Sequence, residues 1–128
     1  MNGLHLTADL GGVDPALPAM RDPACLATLC RDAVVDSGLS GVADLFHRFG
    51  PAEEQCGITG VVLLAESHLA VHTWPELGGV TLDVYVCNYG ANNSAKAEAL
   101  MMALIAAFAP VAITRQSLSR AAASTPAV

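Results

Sequence analysis

The sequence predicts an α+β fold, a two-layer sandwich in which one antiparallel sheet carries two helices on one face. Three observations point there. Two segments repeat apolar residues at helical spacing, and six others alternate or run apolar over strand-like lengths. The strands that follow one another directly, from the second to the fifth, are joined by short turns, which argues for antiparallel pairing. The order β-α-β-β-β-β-α-β then gathers both helices on one side of a single domain spanning residues 1–128.

Each element has a local reason. Residues 4–10 make the first strand, ended by Gly11-Gly12. Asp22 followed by Pro23 starts a helix, the aspartate as cap and the proline in the first turn. Leu26, Leu29 or Cys30, Ala33 and Ser37 then share one side, and Gly38 fits the stop. Residues 42–49 return to extended structure before a loop from Gly50-Pro51 to Cys56. Ile58 to Glu66, rich in Val and Leu, is the next strand. His68 to Trp74 alternates and is closed by Pro75, with a turn at Gly78-Gly79. Val80 to Cys87 alternates cleanly. Asn92, Asn93 and Ser94 offer caps for a helix whose apolar positions are Ala97, Leu100, Met101, Leu104, Ile105 and Phe108, and Pro110 ends it. Residues 111–118 form a last short strand, and the tail from about 121 is expected to be loose.

Composition narrows the function classes. The chain is 53% apolar and 14% charged, against a usual charged share of about 25%, which excludes a disordered chain. Three Phe, two Tyr and one Trp leave the core to Ala, Val and Leu. So few charges to cover the outside imply a self-associating surface. A net charge of −6 with only six Lys plus Arg gives no basic cluster for phosphates, so no nucleic-acid partner is expected. No apolar run of about 18 residues predicts a membrane span, and the N-terminus has no signal-peptide pattern. The cysteines at 25, 30, 56 and 87 show no CxxC spacing, so neither a disulfide framework nor a metal site is expected. A reduced, cytoplasmic protein is the expectation.

Strand parity sorts the faces. Val80, Leu82, Val84 and Val86 point under the helices, as do Leu69, Val71 and Thr73. The other face holds His68, His72, Trp74, Asp83, Tyr85 and Cys87, too polar for a core and too aromatic to be only solvated. A second copy packed sheet against sheet would cover it and place a site at or beside a dimer interface.

Reactive groups concentrate in Glu66-Ser67-His68-Leu69-Ala70-Val71-His72-Thr73-Trp74-Pro75-Glu76. From the residues alone, three readings stand: a nucleophilic site of Ser67, His72 and Cys87; a metal pair of His68 and His72, which needs a third ligand such as Asp83 or Glu76; or a structural strand. A Ser-His hydrolase is disfavoured because no Gly-x-Ser-x-Gly elbow is present and Ser67 and His72 fall on opposite faces.

The pattern ESHL, two residues, then HTWPE, with Cys87 eleven residues after Glu76, resembles the prokaryotic S-adenosylmethionine decarboxylase proenzymes, which are small pyruvoyl-dependent enzymes of polyamine (spermidine) synthesis. Phe46-His47-Arg48-Phe49, Gly57-Ile58-Thr59-Gly60-Val61-Val62 and Asp83 add to the resemblance, which covers roughly residues 4–118. It implies that Ser67 Oγ attacks the Glu66 carbonyl and that His72 removes the Ser67 α-proton. The chain then parts into residues 1–66 and 67–128, the second beginning with a pyruvoyl group. It implies also that this group forms a Schiff base with the substrate amine, that Cys87 returns the proton in decarboxylation, and that Thr59 assists processing. Phe49, Trp74 and Glu76 would line the S-adenosylmethionine pocket of a homodimer of processed chains. The loop 51–56 is longer than is usual in the family, and the last strand lacks the usual Arg-Gly ending. These departures surround the pocket. They leave open the same chemistry on a basic amino acid such as ornithine or arginine, or a non-catalytic relative that regulates a partner.

Overall fold

The computed structural model describes residues 2–123, and residues 124–128 of the expected loose tail lie outside them. The chain runs β1 (Asn2–Gly11), α1 (Pro18–Arg21), α2 (Pro23–Ser37), β2 (Gly41–Arg48), β3 (Ile58–Leu64) and β4 (Ser67–Trp74). A 3₁₀ turn over Pro75–Leu77 follows, then β5 (Gly79–Cys87), α3 (Ser94–Phe108) and β6 (Ala112–Ala121). The strands form one sheet in the order β2-β3-β4-β5-β1-β6, antiparallel at every junction. This is the predicted α+β architecture.

The local signals act as expected. Asp22 caps α2 by accepting the Ala24 N–H at 2.9 Å, a contribution of about 1 kcal/mol. Gly38 closes it at φ 87°, in the left-handed region that glycine enters without a Cβ clash. On α2 the inward stripe is Leu26, Ala27, Cys30, Ala33 and Val34. Cys30 is the buried member of the Leu29/Cys30 pair, and burial pushes its thiol pKa up to about 12. Ala97, Leu100, Met101, Leu104 and Phe108 of α3 are buried as predicted, with Ile105 packed at their margin.

These stripes meet the inward residues of the sheet. Leu6, Ala8 and Leu10 of β1, Val80, Leu82, Val84 and Val86 of β5, and Leu69 and Val71 of β4 are all buried. Thr73 joins them because its hydroxyl is used twice, accepting the Ile58 N–H and donating to the Met20 carbonyl. The opposite face is open. Leu45, Leu63, Trp74 and Leu118 remain exposed on it, with the directly paired partners of one strand facing the same way as those of the next.

The elements depart from the sequence reading most in three places, the other strand ends shifting by one or two residues. The one-turn α1 is an added element, too short for periodicity to reveal. β6 continues to Ala121 because it pairs along all of β1. The strand expected over Ile58–Glu66 stops at Leu64, since Leu64 pairs with Ser67 and Ala65-Glu66 must turn the hairpin.

Candidate active site

The β3–β4 register sets Thr59 opposite His72 on the open face. Thr59 Oγ1 and His72 Nδ1 lie 3.0 Å apart and share a hydrogen bond. Trp74, two residues on, faces the same way and stacks on His72, with centroids 5.9 Å apart and planes at 30°. Pro75 then stops the strand and starts the short turn that carries Glu76. Phe49 leaves the end of β2 edge-on to His47 at 4.7 Å. Phe49, Thr59, His72, Trp74 and Glu76 thus converge on one cavity of about 340 Å³, whose remaining wall includes Gln55 and Cys56. Its aromatic sides with a single carboxylate suit a flat, partly polar or cationic ligand.

The other end of β4 holds the remaining candidates. Glu66 turns the hairpin at φ 55°, a left-handed conformation that costs a non-glycine residue about 1 kcal/mol. The strained residue directly precedes the Glu66–Ser67 peptide. Ser67 is buried, and its Oγ accepts the Cys87 N–H at 3.1 Å. Cys87 is held on every side. Its carbonyl accepts from Asn93 Nδ2 at 2.8 Å, its sulfur accepts the Tyr89 N–H at 3.4 Å, and the Asn93 N–H is in turn held by Asn88 Oδ1. A cavity of about 390 Å³ borders Glu66, Tyr85, Cys87 and Tyr89.

Beside it a wider cleft of about 650 Å³ is lined by His5, Glu66, Ser67, His68, Tyr85 and Arg120, among others. His5 Nε2 meets Asp83 Oδ1 at 3.1 Å. His68 stacks on Tyr85 with centroids 5.6 Å apart, and the Arg120 guanidinium lies 5.8 Å from the centre of the same ring. Burial, and then the nearby His5, hold the His68 pKa below its ordinary value, with Asp83 opposing.

Ser67 and His72 are therefore not neighbours within one chain. They are five residues apart along β4, about 16 Å at strand rise, and face opposite sides of the sheet. The parity objection raised by the sequence stands, and distance adds to it. His68 and His72 share a face but are about 13 Å apart along the strand, too far to ligate one ion. No group of three or more His, Cys, Asp or Glu among the described residues is arranged to hold a metal. The sequence reading missed Asn88, Tyr89 and Asn93 around Cys87. Their only signal was an Asn-rich loop, which reads equally well as helix caps.

A family model described as S-adenosylmethionine decarboxylase matches residues 4–121. The chain is similar to the S-adenosylmethionine decarboxylase proenzyme of Aquifex aeolicus, 39% identical over 115 residues, covering 89% of this chain and 77% of that protein. It is also similar to the proenzyme of the same name from Picrophilus torridus, 39% identical over 90 residues. There the match covers 70% of this chain and 65% of the relative, just under two thirds of its length. Among solved structures, the crystal structure of the adenosylmethionine decarboxylase from Aquifex aeolicus superposes with a TM-score of 0.82 at 34% identity, over 98% of this chain and 96% of that one.

Proposed function

Because this chain belongs to the S-adenosylmethionine decarboxylase family, we propose that it is a proenzyme that severs its own Glu66–Ser67 bond and then decarboxylates S-adenosylmethionine in the cytoplasm, supplying the aminopropyl donor for polyamine synthesis. One observation carries the reading. Every group this chemistry needs is present but divided between the two ends of β4: Phe49, Thr59, His72, Trp74 and Glu76 line a cavity of the open face at one end, and at the other Cys87 lies with Ser67, whose hydroxyl is turned inward.

A homodimer unites them. If two sheets pack face to face about a twofold axis lying across β4 near Ala70, the strands of the copies run in opposite senses. The Ser67–Cys87 end of one chain then meets the Thr59–His72–Trp74 end of the other. Ala70 is small and lies between Ser67 and His72, so close approach there is sterically free. Leu45, Leu63 and Leu118, exposed on this face, gain cover worth roughly 25 cal/mol per Å² buried.

In this arrangement Ser67 Oγ adds to the Glu66 carbonyl carbon. The C–N bond opens, the amine of residue 67 takes the hydroxyl proton, and an ester links the two halves. The imidazole of His72 of the partner subunit, oriented through its Nδ1 by Thr59, removes the residue 67 α-proton, and the Glu66 carboxylate leaves. Water then replaces the nitrogen as ammonia, and a pyruvoyl end remains. The residues fit such a group. The Cys87 N–H, bonded to Ser67 Oγ before cleavage, is freed when that oxygen leaves with Glu66 and could then donate to the oxygen that water supplies at residue 67. Cys87 also borders the open cavity beside Glu66. Held beside Cys87, such a group would supply the electron sink that decarboxylation of an amino acid needs. Cys87 supplies the proton to the substrate's α-carbon. Phe49 and Trp74 sandwich the flat base, and Glu76 receives its polar or cationic neighbour.

Two measurements test this. Intact mass of the purified protein is expected to give residues 1–66 and 67–128 as separate chains, the second blocked at its N-terminus. Carboxyl-labelled S-adenosylmethionine is expected to release labelled CO₂. Release from ornithine or arginine alone would overturn the substrate, and an uncut chain that still releases CO₂ would overturn the mechanism.

A further inference from the structure

In the loop that follows β2, all residues from Phe49 to Gln55 are exposed. An exposed loop of this kind needs no fixing for stability, since closure cost grows only slowly with length. Yet this one is fixed. The Phe49 N–H bonds the Gly57 carbonyl at 2.9 Å, and the Arg48 guanidinium donates through Nη2 to the carbonyls of Ala52 and Glu54 at 3.0 and 2.9 Å. At its exit Gly57 lies so close to β4 that a Cβ there would stand 2.1 Å from the Thr73 carbonyl oxygen.

The clamp is bought with an unpaired group. Arg48 Nε is shielded from solvent and has no hydrogen-bond partner among the described residues, a cost that a merely stabilising contact would not carry. What the clamp achieves is a placement: it stations Gln55 and Cys56 in the wall of the 340 Å³ cavity that Trp74 and Glu76 also line. Of the two, Gln55 carries a primary amide, which offers a donor and an acceptor side by side. That is the pairing an adenine presents at its 6-amino group and N7.

We infer that Gln55 is a specificity-determining residue that reads the amino edge of a 6-aminopurine nucleoside, and that Arg48 is the positioning residue that holds it there. The inference rests on the nucleoside substrate proposed above and adds the residue that selects the base.

Trp74 is the single tryptophan of the chain and lines this cavity, so its fluorescence reports occupancy without any turnover. Fully cleaved protein is titrated with 5′-methylthioadenosine and with 5′-methylthioinosine, which has an oxygen where the amino group was. The wild type is expected to bind the adenosine form about tenfold more tightly, the equivalent of one good amide contact. Gln55→Ala and Arg48→Met are each expected to lose that preference, and Arg48→Lys to keep part of it because one N–H can still reach a carbonyl. Thermal melting separates folding from reading: Gln55 is exposed, so its variant keeps the wild-type melting temperature. Equal binding of both nucleosides by the wild type, or an undiminished preference in Gln55→Ala, overturns the role of Gln55. An undiminished preference in Arg48→Met overturns that of Arg48, whatever its melting temperature. A Trp74 signal that answers neither nucleoside overturns the substrate reading itself.

Discussion

Ser67 and His72 occupy the same strand but serve opposite sides of it. The Ser67 hydroxyl is turned inward to accept the Cys87 N–H at 3.1 Å, while His72 is turned outward and tied to Thr59 at 3.0 Å. Strand geometry cannot close the gap of about 16 Å between them without dismantling β4. The two groups therefore do not meet within one chain.

Complementation checks this. Ser67→Ala and His72→Ala are each expected to remain uncut when expressed alone. In the mixed dimers that the proposed pairing gives on coexpression, the His72→Ala chain keeps its serine and borrows a histidine. That chain alone is expected to be cut, as intact mass will show. If mixtures stay whole while the wild type cleaves, the processing pair acts within one chain.

Cys87→Ala separates processing from turnover. Its main-chain N–H, which holds Ser67 Oγ, is retained, so cleavage is expected to proceed. Loss of the thiol proton donor is expected to lower CO₂ release from S-adenosylmethionine by about 10²-fold. A variant that is cut and fully active would remove Cys87 from the reaction.

Glu66 offers a stability test. Its φ of 55° is strained for glutamate and free for glycine. In an uncut Ser67→Ala background, Glu66→Gly is expected to add about 1 kcal/mol, seen as a rise of roughly 4 °C in melting temperature. A fall would mean that the Glu66 side chain contributes more than its backbone costs.

His68 gives a pH dependence with a definite sign. Its folded pKa lies below the ordinary 6.5, first because of burial and second because of His5. Above pH 6.5 both folded and unfolded forms are neutral and the residue has no effect. As pH falls below 6.5 the unfolded chain takes up the proton first, so stability declines until the folded pKa is passed. Melting curves between pH 8 and 5 are expected to flatten in His68→Gln, and an unchanged slope would assign the decline to other groups.

Much of this was legible before any coordinates. Alternation in Val80–Cys87 and His68–Trp74 named the buried and open faces, because the side-chain period of a strand is fixed at two. Asp22 and Gly38 marked the ends of α2 by chemistry confined to a few residues. Other features were illegible for equally physical reasons. The turn at Ala65-Glu66 depends on which residue of β3 pairs with Ser67, a register that local propensity does not encode. The bracket of Asn88, Tyr89 and Asn93 on Cys87, and the hold of Arg48 on its loop, are side-chain bonds to carbonyls and sulfur that no composition reports.

The sequence by itself determined which candidate groups this protein carries, Ser67, His72 and Cys87 with Thr59, Phe49, Trp74 and Glu76, since a motif is a property of the chain. Tertiary structure alone decided how they are distributed. It gathers Thr59, His72, Trp74, Glu76 and Phe49 at one end of β4 and Ser67 with Cys87 at the other, because antiparallel pairing fixes every residue's position along the sheet, and a stiff strand keeps its ends apart.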